Sequence, residues 1–430
     1  MSENVTNLLE FIKNSPSPFH AVSNIEKILC EKGFQKLYED EKWKLENGKS
    51  YFVTRNSSSI ISFMLPKENI PSETSFRITA SHSDSPVFKI KENPEIKSGG
   101  SVVLNVEKYG GMLLAPWFDR PLSVAGRVIV REEKDGKTSL KEILVNVDRD
   151  LLLIPNLAIH MNREANEGRK IDVQNEIRPV LSMDENQTIL GEICKSHGLK
   201  AENVVSHDLF IYNRSPSSVW GAKKEFISSP KLDDLECAYT SLKGFLDSGC
   251  AESKNIRVHA VFDNEEVGSL TRQGADSTFL SDTLSRIAEK LLWESEDFKI
   301  SLAKSMMLSC DNAHALHPNY LSSADPVNRP KINGGIVIKY NATQKYTTDA
   351  FSSAFFKEIC KKAGVSFQIF TNNSNIAGGS TLGNISQSHL SLPCADIGLA
   401  QWAMHSPYET AGTRDADFMI KAVADFYQMC

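Results

Sequence analysis

The sequence predicts an α/β protein: a doubly wound, mixed, mainly parallel sheet interrupted by an inserted β-rich domain. Three observations lead to this fold class. After Pro230 the chain alternates between helix-like and strand-like segments, which favours a parallel sheet with helices on both faces. Between Asn93 and Pro216, short β-prone runs are separated by glycine turns. The length of 430 residues accommodates two or three domains at about 150 residues each.

Residues 1–92 are interpreted as the first part of the sheet domain. Segments Asn7–Ile12 and Phe19–Gly33 place apolar residues at helical spacing and predict two helices. Ile60–Leu65 and Phe76–Ala80 are short, apolar and β-prone, and they predict two strands.

Residues 93–216 form the predicted insertion, and residues 217–430 complete the sheet domain. In the insertion, strands are predicted at Val102–Val106, Val124–Val130 and Leu140–Val147. In the second part of the sheet domain, strands are predicted at Ile256–Phe262, Met306–Cys310 and Gly335–Tyr340, and helices at Leu235–Leu246, Leu280–Trp293 and Thr348–Ala363.

The charge and hydropathy of the chain exclude several kinds of partner. Lys and Arg total 48 against 54 Asp and Glu, and this net charge of −6 offers no electrostatic footprint for nucleic acid. No apolar run approaches the roughly 18 residues that a membrane span needs. The first residues carry Glu3 and no basic cluster, so they do not resemble a signal peptide. We expect a cytoplasmic protein with neither nucleic acid nor membrane as a partner.

The cysteines limit the type of metal site. They stand at positions 30, 194, 237, 250, 310, 360, 394 and 430, and no two have Cys-x-x-Cys spacing. This argues against a thiolate zinc site and favours free thiols. Any bound metal should therefore have His, Asp and Glu ligands.

Polar clusters follow several predicted strands, where α/β proteins collect functional residues. His82 and Asp84 come directly after the first, and His-x-Asp spacing puts a metal ligand and an orienting carboxylate on one side of an extended segment. The alternative is a strand-end turn with a hydrogen-bonded histidine. Asp233 opens a predicted helix, where acidic residues are also favoured by capping and the helix dipole alone.

Three more clusters lie later in the chain. Glu265 and Glu266 end a predicted buried strand. Two adjacent carboxylates are costly to bury there unless a cation neutralises them. The alternative is a solvated acidic turn. Asp311 ends another strand, with histidines three and six residues beyond it. His405 follows an apolar segment near the C-terminus, although a lone histidine is usually packed or exposed.

Together these side chains suit two zinc ions better than one. In chain order they read His, Asp, Glu-Glu, Asp and His, which is too many ligands for one tetrahedral zinc. Two ions sharing a bridging carboxylate would leave one glutamate free to act on water. The chain lacks His-Glu-x-x-His, Gly-x-Gly-x-x-Gly, a Walker phosphate loop and Gly-x-Ser-x-Gly, so zincin, dehydrogenase, kinase and serine-hydrolase readings lose their sequence support.

The motifs resemble those of the aspartyl aminopeptidase family, which includes the vacuolar aminopeptidase I type. The resemblance covers nearly the whole chain and rests on TASHSDSP, NLAIHMNR, KLDDLECAY, FDNEEVGS, SCDNAHALHPNY, GGSTLGNI and MHSPYE. It implies a zinc-exopeptidase fold with an inserted dimerisation domain. It also implies a co-catalytic aminopeptidase that holds two Zn²⁺ per subunit, replaceable by Co²⁺ or Mn²⁺, acts on peptides with a free N-terminus, and assembles from dimers into a tetrahedral dodecamer.

The resemblance also assigns roles to individual residues. Glu265 matches the general base, and Asp84 matches the carboxylate behind the ligand histidine. His160 matches a histidine that reaches into a neighbouring subunit's active site, with an ordinary interface histidine as the alternative. The metal ligands by the same match are His82, Asp233 (bridging), Glu266, Asp311 and His405.

Substrate choice is less well defined by the sequence. Removal of N-terminal Asp or Glu would need a cation in the pocket, for which Lys339 is a candidate and a surface lysine the alternative. Other members of the family prefer neutral N-terminal residues such as leucine, so an aminopeptidase for neutral residues is the alternative. The chain departs from the family pattern at Asp234, which leaves some ambiguity in the bridging residue, and at Asn384 and Pro407–Tyr408, near the expected substrate pocket.

Two rival functions remain open at this stage. One is a related di-zinc deacylase or carboxypeptidase, which would act on N-acyl rather than aminoacyl substrates. The other is an inactive, shell-forming cargo protein. The intact pair Glu265-Glu266 speaks against the second rival, because a scaffold does not need a free base.

Overall fold

Two units make up the chain in the computed structural model, which describes residues 2–71, 73–249 and 253–429. The first, which we call the sheet unit, comprises the chain up to Asp84, Ser217–Met404, and the residues from Glu409 onward. The second, the inserted unit, comprises Ser85–Pro216 and the short segment His405–Tyr408.

The described residues form the following strands in chain order: β1 (Gln35–Leu37), β2 (Ser50–Arg55), β3 (Ser59–Met64), β4 (Phe76–His82), β5 (Val87–Ser98), β6 (Ser101–Tyr109), β7 (Leu122–Lys134), β8 (Lys137–Asn146), β9 (Val180–Ser182), β10 (Val204–Asn213), β11 (Ser218–Trp220), β12 (Phe226–Ser229), β13 (Ile256–Phe262), β14 (Met306–Cys310), β15 (Ala313–His314), β16 (Ile336–Tyr340), β17 (Phe367–Thr371), β18 (Cys394–Gly398), β19 (Ala400–Gln401) and β20 (Glu409–Gly412). The α-helices are α1 (Glu3–Lys13), α2 (Pro18–Glu31), α3 (Val173–Glu176), α4 (Ile189–His197), α5 (Leu232–Asp247), α6 (Phe279–Lys290), α7 (Ser295–Lys304), α8 (Ala350–Ala363), α9 (Leu382–Ser386) and α10 (Asp415–Gln428).

The sheet unit is built on a nine-stranded sheet in the order β1-β2-β3-β13-β4-β14-β18-β16-β17. Its central strands β13, β4, β14 and β18 are parallel, whereas β3 and β16 join them antiparallel. Phe262 pairs with His82 at the carboxyl ends of β13 and β4. The carboxyl ends of three neighbouring strands therefore meet at one edge, where open α/β sheets bind ligands.

Both faces of this sheet are covered, because alternate residues of each buried strand point to opposite sides. Val261 packs into a core with apolar residues of α1, α2, α5, α8 and α10. Its neighbours Ala260 and Phe262 pack into a second core with residues of α6, α7 and α9. The predicted doubly wound, mainly parallel α/β sheet is confirmed.

The inserted unit contains a six-stranded antiparallel sheet in the order β8-β7-β10-β5-β6-β9. Gly126 of β7 has φ +156°, and a Cβ there would lie 2.0 Å from the carbonyl oxygen of Asp208, so the pairing requires glycine. The segment His405–Tyr408 joins this unit through Asn213, whose side-chain amide donates to the carbonyl of Pro407 (3.0 Å).

The predicted helices and strands are confirmed, with ends displaced by a few residues. The predicted start of the insertion, Asn93, falls inside β5, a long strand that sequence reasoning did not identify because charged residues and Pro94 interrupt its apolar pattern. The six described cysteines are free, whereas Cys250 and Cys430 lie outside the described residues. Within the described ranges, no helix combines the length and apolarity needed to cross a bilayer.

Candidate metal centre

Four buried side chains converge at the carboxyl edge of the central strands. His82 ends β4, Asp311 follows β14, and Asp233 and Asp234 lie in the first turn of α5. One potential ligand atom from each lies within 4.8 Å of the others. Residues from three separate parts of the sequence therefore form one cluster of imidazole and carboxylate groups, the donors that zinc binds when thiolates are not used.

The imidazole of His82 lies at the centre of this cluster. Its Nε2 is 3.5 Å from Oδ1 of Asp233, and it lies 4.0 Å from both Oδ2 of Asp234 and Oδ1 of Asp311. Its Nδ1 faces Asp84, at 3.1 Å from the backbone carbonyl and 3.3 Å from Oδ1. Donation from Nδ1 to Asp84 would leave the Nε2 lone pair directed at a metal, as in carboxylate–histidine–zinc arrangements.

The two neighbouring aspartates play different parts. Oδ2 of Asp234 accepts a 3.0 Å hydrogen bond from the backbone N–H of His82, so this carboxylate anchors the end of β4. The backbone N–H of Asp233 donates to Oε2 of Glu409 (3.0 Å), and the Asp233–Asp234 peptide bond is cis. The carboxylate of Asp233 is the closer of the two to Nε2 of His82, and its role as the bridging ligand stays a prediction.

Glu265 and Glu266 reach the same edge from β13. They lie in the 3₁₀ turn Glu265–Val267, and carboxylate oxygens of both lie within 4.8 Å of the imidazole of His82. Their backbone N–H groups donate to Oδ1 and Oδ2 of Asp84, at 3.2 and 3.1 Å. Asp84 thus contacts both the histidine and the glutamate turn, which the sequence pattern did not predict.

The crowding of carboxylates shifts their proton affinity. Burial, followed by nearby negative charges, raises the pKa of Glu265 to about 8 and raises the pKa values of Asp234 and Glu266 well above their ordinary range. Burial opposes protonation of His82, but the neighbouring carboxylates hold its pKa well above the usual value. Oδ1 of Asp234 has no hydrogen-bond partner in the described part of the chain. Such a site is strongly favourable for a divalent cation, and the residues fit zinc.

Lys339 lies beside this cluster rather than on the surface. It is 1% exposed, and its Nζ lies 2.8 Å from the carbonyl oxygen of Asp311, 3.1 Å from that of Asn312 and 3.3 Å from Oδ2 of Asp311. An ammonium group has three N–H donors, and these acceptors match that number. Lys339 is therefore not a surface lysine, and that alternative is wrong. The Asp311 carboxylate compensates the cost of burying its charge. Substrate binding by Lys339 stays a prediction.

The other two predicted residues belong to the inserted unit. His405 begins the segment His405–Tyr408 with φ +65°, and its carbonyl accepts a 3.1 Å hydrogen bond from the backbone N–H of Leu113. His160 lies in an exposed turn. Their roles at the metals and in a neighbouring active site stay predictions.

Sequence reasoning gave no role to two residues that shape the centre. Glu409 is 1% exposed and binds the backbone of Asp233, and its presence in the motif MHSPYE was the only signal for it. Gly398 of β18 lets the carbonyl oxygen of Asp311 approach within 1.8 Å of the position that a Cβ would occupy. A glycine inside an apolar strand is a known sign of such close approach.

Comparison with known proteins identifies the family. The family model described as aminopeptidase I zinc metalloprotease (M18) matches residues 11–427. The chain belongs to the M18 family. A probable M18 family aminopeptidase 2 of Clostridium acetobutylicum is 44% identical over 430 residues, which cover 98% of each chain. The M18 relationship therefore extends over almost the entire length.

Solved M18 structures have the same fold. A chain in a cryo-EM structure of the Ape4 and Nbr1 complex is 36% identical, with a TM-score of 0.94 over 99% of this chain and 85% of that one. Chaetomium thermophilum mApe1 is 29% identical, with a TM-score of 0.88 over 98% of this chain and 96% of that one. The predicted resemblance is confirmed, and the chain is an M18 aminopeptidase, a zinc metalloprotease.

Proposed function

We propose that this M18 aminopeptidase hydrolyses the N-terminal peptide bond with two zinc ions. The observation that supports the proposal is the convergence of buried His82 with five carboxylates, three buried and two partly buried, from three strand ends and one helix start. His82, Asp233, Glu266, Asp311 and His405 would hold the metals, with Asp233 between them. The donor number exceeds what one tetrahedral ion can use.

Zinc in this site would supply Lewis-acid chemistry: it polarises a carbonyl oxygen and makes water more acidic. Glu265 takes the proton from the attacking water and returns it to the leaving amine. Asp84 fixes the backbone of Glu265 and the orientation of His82 at the same time. Asp84 thereby links the proposed base to the proposed ligand His82.

Replacement of Glu265 by Gln tests this mechanism. The variant removes the base but keeps the size of the side chain, so we expect it to retain the fold and both metals while losing nearly all turnover. Metal content and kcat are measured together, with the exposed Glu296→Gln as the control. Retained turnover in Glu265→Gln would overturn the proposal.

We further propose that the enzyme prefers acidic N-terminal residues, with Lys339 supplying the positive charge. Lys339 already binds Asp311, so a substrate carboxylate would have to compete for one of its donors. A panel of N-terminal Asp, Glu, Leu and Ala substrates, assayed with wild type and Lys339→Ala, tests this preference. Higher kcat/KM for Leu would favour the neutral-residue alternative, and hydrolysis of N-acyl substrates alone would favour a deacylase.

The proposed assembly is a cytoplasmic tetrahedral dodecamer built from dimers, in which His160 enters a neighbouring subunit's site. The exposed segment around His160 supports this, because Leu157, Ile159 and Met161 are 51%, 46% and 74% exposed. Mixing inactive His160→Ala and Glu265→Gln subunits tests it: a site containing Glu265 from one and His160 from the other would regain activity. No recovery in mixed oligomers would contradict the shared site.

A further inference from the structure

The turn that carries Glu265 begins at Asn264, which adopts the left-handed backbone conformation. Its φ is +63°, a region that Asn tolerates better than most residues. The carbonyl oxygen of Asn264 accepts hydrogen bonds from the N–H groups of Val267 (3.3 Å) and Ser269 (2.7 Å). The backbone of Asn264 therefore closes the turn, but these bonds alone do not connect the turn to the sheet.

The side chain of Asn264 connects the turn to the loop that follows it. Its Oδ1 accepts hydrogen bonds from the hydroxyl of Thr271 (2.8 Å) and from Nε2 of Gln273 (2.7 Å). The carbonyl oxygen of Gln273 in turn accepts a 2.6 Å hydrogen bond from the hydroxyl of Ser59, the first residue of β3. One side-chain oxygen thus joins the turn to a loop that is itself fixed to the sheet.

The carboxylate of Asp84 accepts hydrogen bonds from the backbone N–H groups of Glu265 and Glu266 in the same turn. Both Asp84 and Asn264 therefore hold this turn. We propose that Asn264 is a positioning residue: the hydrogen bonds of its Oδ1 with Thr271 and Gln273 fix the direction of Glu265 for proton transfer. This inference rests on the function proposed above. Proton transfer needs heavy atoms about 2.6–3.2 Å apart, and a misplacement of about 1 Å can cost about 100-fold in rate.

Asn264→Gly is the variant that separates side chain from backbone, because Gly keeps the left-handed conformation and removes Oδ1. We expect kcat to fall about 10- to 100-fold with KM and zinc content unchanged. Thr271→Val removes one of the two donors and should give a smaller fall, which Thr271→Ser should restore. The Thr271 pair also keeps the test decisive if Asn264→Gly does not fold.

The double variant Asn264→Gly/Glu265→Gln shows whether Asn264 acts through Glu265. If it does, Asn264→Gly lowers the residual rate of the Glu265→Gln enzyme no further. Unchanged kcat in Asn264→Gly, a parallel loss of zinc, or an equal fall in both backgrounds would overturn the positioning role. Failure of the proposed function is distinct, because it would appear as full turnover in Glu265→Gln alone.

Discussion

Oδ1 of Asp84 accepts a 3.2 Å hydrogen bond from the backbone N–H of Glu265, although the two residues follow different strands of the sheet, β4 and β13. The same carboxylate faces Nδ1 of His82. Asp84 therefore couples the orientation of His82, the proposed metal ligand, to the position of Glu265, the proposed base, and a change at Asp84 should affect both.

Asp84→Asn should lower kcat about 10- to 100-fold, with weaker zinc binding, because an amide offers one acceptor where the carboxylate offers two. The amide NH₂ group would also face a backbone N–H donor. Steady-state kinetics and a zinc titration check this result. Asp325→Asn is a matched control, since Asp325 also accepts backbone hydrogen bonds, from Val327 and Asn328, in an exposed loop. Equal effects of the two variants would contradict the prediction.

Removal of zinc should make stability depend on pH. Carboxyl groups with raised pKa values, such as Glu265 at about 8, bind protons more tightly in the folded metal-free protein than in the unfolded chain. Their stabilising effect is present at low pH and is lost as pH rises towards 8. We expect the Tm of chelated protein to fall between about pH 5 and pH 8 and zinc to restore it most at the higher pH. A Tm gain from zinc that is independent of pH would contradict this.

Lys339→Met should lower kcat/KM for every substrate, because it leaves the Asp311 carboxylate buried without its cation. It should lower kcat/KM further for N-terminal Asp and Glu substrates, because it also removes the cation proposed to bind their side chains. An equal fall for acidic and neutral substrates would contradict substrate binding by Lys339. The ratio of kcat/KM values for Asp and Leu substrates distinguishes the two roles. Lys345→Met, which removes a lysine bonded to the carbonyl of Gly378, is the control.

His259 should contribute to acid sensitivity. It is fully buried between the hydroxyls of Ser62 and Ser241, and burial lowers its pKa to about 3. The unfolded chain binds a proton near pH 6.5, whereas the folded chain stays neutral, so stability is present above that pH and is lost as pH falls. His259→Gln should therefore have a flatter Tm profile between about pH 6.5 and pH 4.5, unlike His389→Gln on the surface. Identical Tm profiles for His259→Gln and the wild type would contradict this prediction.

The sequence predicts the edge of the sheet well because its signals are local. The pattern of an apolar strand followed by a carboxylate or histidine identified His82, Glu265 and Asp311 as candidate site residues. Parallel pairing of β4 with β13 and β14 brings the carboxyl ends of these strands together. The surroundings of Lys339 could not be predicted, because its burial depends on an ion pair with Asp311, which follows a different strand. The sequence carried one sign of the role of Asn264: asparagine tolerates the left-handed backbone conformation, and this one lies two residues after the end of β13.

The insertion sets the order in which the centre can form during synthesis. His82 precedes Asp233 by 151 positions, and both neighbours of β4 in the sheet, β13 and β14, follow the insertion. At ribosomal rates of about 5–20 residues per second, β4 waits roughly 9–35 s for its first partner, β13. During that interval the nascent chain contains His82 but none of the carboxylates proposed to bind metal with it. The proposed metal ligands are therefore complete only after most of the chain has been made.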